Sequence, residues 1–183
     1  ANLAVNADKV NLNDWIGVSA DTTSAKASAA KPFIVPNNLD IVLNTKVGSL
    51  KYDKVDMQNL SGALQVKDEA VKLTNVSGNA MDGTIKINGS YSTKESRTRP
   101  AIAMSYDVAQ VDIQKTFYAF NTAQKLMPIG KYLSGKLTSV LAATGKLGDN
   151  MDVDMSTISG NGNLFLIEGF LSKFAPLDKI ASV

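Results

Sequence analysis

Apolar and polar residues alternate with a period of two along most of this chain. That period allows little besides a β-sheet with one dry face and one wet face. In "LDIVLNTKV" (39–47), Leu39, Ile41, Leu43 and Val47 fall on one side and Asp40, Asn44 and Lys46 on the other; Val42 alone spoils the polar side. "GALQVKD" (62–68) sets Leu64 and Val66 against Gln65 and Lys67, and "AVKLTNV" (70–76) repeats the pattern. "GTIKINGSY" (83–91) sets Ile85, Ile87, Gly89 and Tyr91 against Lys86, Asn88 and Ser90. "KDE" (67–69) and "AMDG" (80–83) are short enough to close hairpins, so an antiparallel meander is expected. Further strands are expected in "AIAMSYDV" after residue 100, and near 135–147, 151–156 and 162–168. "ANLAVNADKV" alternates from its first residue and reads as part of a longer protein. The apolar positions Leu39, Ile41, Leu43, Leu64, Val66, Ile85 and Ile87 make one face, either the core or an open groove. For Ile85 and Ile87 the core is favoured, with Phe117 and Phe120 as partners.

The period changes once, in "DIQKTFYAFNTAQKLMP". Ile113, Phe117, Phe120, Gln124 and Met127 are spaced by four, three, four and three, as one face of a helix requires. Asp112 suits the N-cap and Pro128 the far end, so one long helix is expected over 112–127. "FLSKFAPLDKIA" (170–181) predicts a second, short helix interrupted by Pro176. Residues 19–32, "SADTTSAKASAAKP", are small and polar without periodicity, and read as a flexible loop. The fold expected is mainly β, a curved and twisted antiparallel sheet of repeated meander units carrying these two helices, in a single domain or fragment of a longer chain.

Two phrases recur. "VDMQNLSG" (55–62) is answered by "VDMSTISG" (153–160), 98 residues on, and "DKVNLNDWI" (8–16) by "AQVDIQKTF" (109–117), 101 residues on. Val10 matches Val111, Leu12 matches Ile113 and Asn13 matches Gln114. Two echoes in the same order at nearly equal spacing predict duplicated strand-and-helix units. In both long copies the strand is expected to end at Ser-Gly, where glycine permits a bend or bulge.

The residue inventory narrows the chemistry. The chain has no cysteine and no histidine, which removes disulfides, zinc-thiolate sites, cysteine nucleophiles and the commonest general base. No catalytic, metal-binding or cofactor-binding residue is nominated, and no enzyme is expected. A formal net charge of +2 lacks the basic stripe that a phosphate backbone demands, so nucleic acid is not expected as a partner. No run of apolar residues is long enough to span a bilayer. "DNMDVDM" (149–155) holds Asp149, Asp152 and Asp154, with Asp152 and Asp154 on one strand face, but lacks the glycine and distal glutamate of a calcium loop; a solvated strand face is expected. Lys94, Arg97 and Arg99 in "KESRTRP" read as a solvated loop. Asn59, Asn75 and Asn88 head Asn-x-Ser sequons. Trp15, the single tryptophan, sits in a helix-like turn, which argues against an exposed sugar-stacking platform.

The stretch "VPNNLDIVLNTKVGSLKYDKVDMQNLSGALQVKDEAVKLTNVSGNAMDGTIKINGSY" resembles the C-terminal region of AsmA-like proteins of Gram-negative bacteria, in the style of Bacteroidetes members. "VAQVDIQKTFYAFNTAQKLMPIGKYLSGKLTS" is similar to that family's helical insertion, and "SGNGNLFLIEG" to its closing strand. The likeness covers most of residues 35–170 and departs at "DEA" (68–70), where a glycine turn is usual. It implies a periplasmic protein held to the inner membrane by a helix outside this sequence. Its implied role is outer-membrane assembly or phospholipid transport along an apolar β-groove, with lipid and envelope-assembly proteins as partners. A groove is physically reasonable, since exposing an acyl chain costs about 0.8 kcal/mol per methylene, on the order of 12 kcal/mol for sixteen carbons. The alternative is a surface carbohydrate-binding or adhesion module.

Overall fold

The computed structural model describes residues 1–16, 31–120, 124 and 128–171. Eight strands form one sheet in chain order: β1 (Asn2–Asn11), β2 (Asp40–Tyr52), β3 (Val55–Lys67), β4 (Ala70–Ala80), β5 (Gly83–Ser92), β6 (Ala101–Asp112), β7 (Leu133–Leu147) and β8 (Val153–Leu171). The sheet is curved and open. The helical elements among the described residues are α1 (Asn13–Ile16), α2 (Ile113–Ala119) and a 3-10 turn at Pro128–Tyr132, with Gln124 also helical.

The expected alternation produces the meander from β2 to β8, all antiparallel. The exception is β1, which pairs parallel to β2 with Leu3 beside Leu43. The reason is topological. The chain leaves β1 through α1 and returns to begin β2 at the end where β1 began, a crossover that a hairpin cannot make. The strands expected at 151–156 and 162–168 are one strand, β8, and Asp152 precedes it.

Two hairpins turn through left-handed pairs, Asp68–Glu69 (φ 51° and 58°) and Met81–Asp82 (φ 52° and 62°). Left-handed pairs of this kind match the right-handed twist of the flanking strands. Asn59 and Asn75, both at φ 52°, sit where the pairing of β3 with β4 and of β4 with β5 slips. Asparagine tolerates this region better than other side chains with a Cβ, because its short amide bonds locally. The Asn88 carboxamide oxygen accepts from the Asn75 N–H at 2.8 Å. All three sequon asparagines therefore have backbone work in the sheet.

Of the helix expected over 112–127, α2 covers Ile113–Ala119; Gln124 is again helical, its N–H donating to the Phe120 carbonyl at 3.2 Å, and residues 121–123 and 125–127 lie outside the described residues. Asp112 caps α2, its carboxylate accepting from the Lys115 N–H at 2.8 Å. Phe120 is already extended (φ −117°, ψ 115°) and exposed. Ile113, Phe117 and Ala119 are buried, with α2 packed on β6 and β7, whereas Phe120 is 39% exposed. Pro128 opens the 3-10 turn. Of the expected C-terminal helix, Phe170 and Leu171 belong to β8 and the remainder lies outside the described residues, as does most of the expected loop at 19–32.

The core gathers at one end of the sheet, beneath α2: Val55, Ala80, Ile85, Val111, Ile113, Ala119 and Leu137, with Ile87 and Val108 packed against it. Ile85 is 4% exposed. Its helical partners in this cluster are Ile113 and Ala119, rather than the Phe117 and Phe120 expected from the sequence. A second buried set, Val35, Thr93, Pro100 and Leu147, lies at the opposite end under the segment 31–39.

Both echoes correspond to real elements. Each long phrase opens a strand, at Val55 in β3 and Val153 in β8, and neither strand ends at Ser-Gly. Leu60 and Ile158, equivalent in the two phrases, each lie over a glycine of the neighbouring strand. A Cβ added to Gly78 would stand 3.0 Å from the Leu60 Cδ1, and one on Gly145 would stand 2.5 Å from the Ile158 Cδ1. In the second echo, β1 runs into α1 as β6 runs into α2. Asn13 accepts from the Asp53 N–H at 2.7 Å, tying α1 to the β2–β3 turn, and Gln114 donates to the carbonyls of Gly130, Lys131 and Leu133, tying α2 to the 3-10 turn.

Candidate functional site

Registers carry single rows of residues across the whole sheet. One row reads Leu3, Leu43, Leu64, Leu73, Gly89, Met104, Ala143 and Gly160, from β1 to β8 with no polar side chain. A flanking row reads Ile41, Val66, Val71, Tyr91, Ile102 and Gly145. At about 4.8 Å per strand, the first row spans roughly 34 Å.

This face is covered only in part. α2 packs over its end on β6 and β7. At the other end Tyr91 donates from its hydroxyl to the Phe33 carbonyl at 2.7 Å, and the Val35 N–H donates to Thr93 Oγ1 at 3.2 Å, pinning the segment 31–39. Burial raises the Tyr91 hydroxyl above the ordinary phenol value. Between the two covers the middle row is open: Leu3 is 52%, Leu73 42% and Met104 49% exposed. Apolar side chains left this wet in a contiguous row mark a surface that contacts something apolar.

The residues nominated from sequence divide by position. Ile85 is in the core and Ile87 half-buried beside it. Ile41, Leu43, Leu64 and Val66 are half-buried in the open rows, and Leu39 is half-buried just before β2. The sequence reading missed Leu3, Leu73, Met104, Leu164 and Leu166, the most exposed members of the apolar face. Leu73 and Met104 are in phase with recognised alternation, but phase assigns a face and cannot say where that face is left uncovered.

The opposite face is polar. The row Asn6, Lys46, Ser61, Ser77, Lys86, Asp107, Val140 and Asn163 crosses all eight strands with one apolar member. A cavity of about 620 Å³ is walled both by Lys72, Thr74, Asn88, Ser90, Thr144 and Asn161 and by Leu73, Gly89, Met104, Ala143 and Gly160 of the apolar row.

The charged groups make pairs and no cluster. Asp154 accepts from the Ser156 hydroxyl at 2.6 Å and pairs with Arg99; the serine contacts first, and then Arg99, hold its carboxyl below the ordinary value. Asp152 accepts from Asn150. Arg97 faces Glu69 at 3.6 Å, and Lys115 holds Asp82 at 2.7 Å. Among the described residues no three acids converge to hold a metal ion, and no helix is long and apolar enough to cross a membrane. Comparison of the chain with protein-family models, with curated proteins and with solved structures finds no match in any of the three.

Proposed function

We propose that this chain is a non-enzymatic, AsmA-like module that shelters lipid acyl chains on its open apolar sheet face. Its place would be the periplasm of a Gram-negative envelope, tethered to the inner membrane by a helix outside this sequence, in phospholipid transport or outer-membrane assembly. The observation that supports this most is the unbroken row from Leu3 to Gly160 with its exposed leucines and methionine. The row's length of roughly 34 Å exceeds half of a bilayer core of about 30 Å, so a single acyl chain fits along it. Covering such a chain recovers about 0.8 kcal/mol per methylene, without any directional contact. A face of this kind selects for apolar length and not for a particular headgroup.

The test is mass spectrometry of lipid extracted from the purified protein, beside the double variant Leu73→Lys with Met104→Lys. Both side chains are exposed, so the lysines can reach water and the β-sheet circular dichroism should persist. Bound lipid should fall at least tenfold. Equal lipid in both proteins, or none in either, would overturn the proposal.

The hydroxyl and amide side chains in the cavity's wall favour a second reading, a carbohydrate-binding surface, because they can replace water around sugar hydroxyls. The cavity lacks an aromatic wall on which a sugar ring stacks. Retention on immobilised glycans, weakened by Thr144→Leu, would favour this reading over lipid.

A further inference from the structure

Among the described residues β8 is the last strand of the sheet and pairs on one side only, with β7. Its outer backbone N–H and C=O groups therefore face outward, as a template for another strand. Natural edges are commonly blunted by charge, proline or brevity. Here residues 155–167 contain no charge and no proline, and the strand runs for 19 residues. Apolar side chains stand out on both faces, with Leu164 53%, Phe165 61% and Phe170 68% exposed.

We infer that the outer edge of β8 pairs antiparallel with β8 of a second copy of this chain. Three observations select that occupant. The unpaired backbone asks for a strand, and the side chains ask for one that is uncharged and apolar on both faces. Among the described strands only β8 meets that description, since the other edge, β1, carries Asp8, Lys9 and three asparagines. Third, the strand complements itself. Centred on Asn163, an antiparallel pair sets Leu164 opposite Gly162 and Leu166 opposite Gly160 of the other copy. Large side chains would then fill the space that glycines leave, as Leu60 does over Gly78 and Ile158 over Gly145. In this register Glu168 meets Ile158, so no like charges face each other.

Leu164, Phe165, Leu166, Ile167 and Phe170 border the open edge with 53%, 61%, 44%, 41% and 68% of their surface exposed, and pairing covers their edge-facing sides. An antiparallel two-fold pair keeps the same face upward in both copies, so the two apolar faces become one continuous surface. The pairing does not depend on what that surface binds.

The absence of cysteine makes the test clean. Light scattering on the eluting protein should give twice the chain mass across a dilution series. Asn163→Cys, placed at the two-fold axis, should form a disulfide-linked dimer on mild oxidation, whereas Asn6→Cys on β1 should not. Leu164→Lys with Phe165→Lys should halve the mass while keeping the β-sheet spectrum. A monomeric parent protein overturns the inference, as does cross-linking through Asn6→Cys instead of Asn163→Cys. A ladder of higher oligomers, which pairing of β8 with β1 would produce, also overturns it. Should the double lysine variant fail to fold, the disulfide comparison alone decides.

Discussion

Ile85 and Leu73 carry the same kind of side chain on the same face of the sheet, and they differ in what lies above them. Ile85 is under α2, whereas Leu73 is open to water. Ile85→Ala should therefore cost roughly 2–5 kcal/mol, because it leaves a cavity, and Leu73→Ala less than about 1 kcal/mol. Urea unfolding of the two variants measures the difference, and equal losses would mean that Leu73 is covered too. Asp154 allows a test by titration. Its folded carboxyl is held below the ordinary value, so its contribution to stability is complete above that value and fades as pH falls through the folded one. Ser156→Ala removes the leading cause and should move the Asp154 midpoint upward in an NMR pH titration, with the loss of stability in acid beginning at higher pH. The pair with Arg99 is largely solvent-exposed and should matter less at high salt.

Among the elements, the β3–β4 hairpin and α2 show how local chemistry sets geometry. Asp68 and Glu69 occupy left-handed backbone in the turn where a glycine is the ordinary choice. Glu69→Gly should relieve that cost and raise stability by about 0.5–1 kcal/mol, read as a higher melting temperature. Its ion pair with Arg97 is long, so little is lost with it. A lower melting temperature would show that Glu69 contributes more than its backbone does. For α2, Asp112→Ala removes the cap on the Lys115 N–H and should cost about 1 kcal/mol. The helix is only seven residues long, so without its cap it should exchange amide protons measurably faster.

At the scale of the molecule, the two faces of one sheet have opposite chemistry, and among the described residues α2 and the segment 31–39 cover only the ends of the dry one. Strands make up 69% of the described structure, and α2 shelters only the part of the sheet at β6 and β7. The open middle of the apolar face and the open edge of β8 answer to different measurements: bound lipid reports on the face, and solution mass reports on the edge.

Sequence alone determined the sheet's alternation, its hairpins and the recurrence of its units, because a period of two and a Gly- or Asp-bearing turn act within a few residues. Ile85, Ile87, Leu64 and Val66 were assigned to one face without any knowledge of the fold. Tertiary structure decided everything that depends on what a distant segment covers. The parallel pairing of β1 needed the crossover. Met104 is open and Ile85 closed for the same reason: burial depends on neighbours far along the chain, and periodicity carries no record of them.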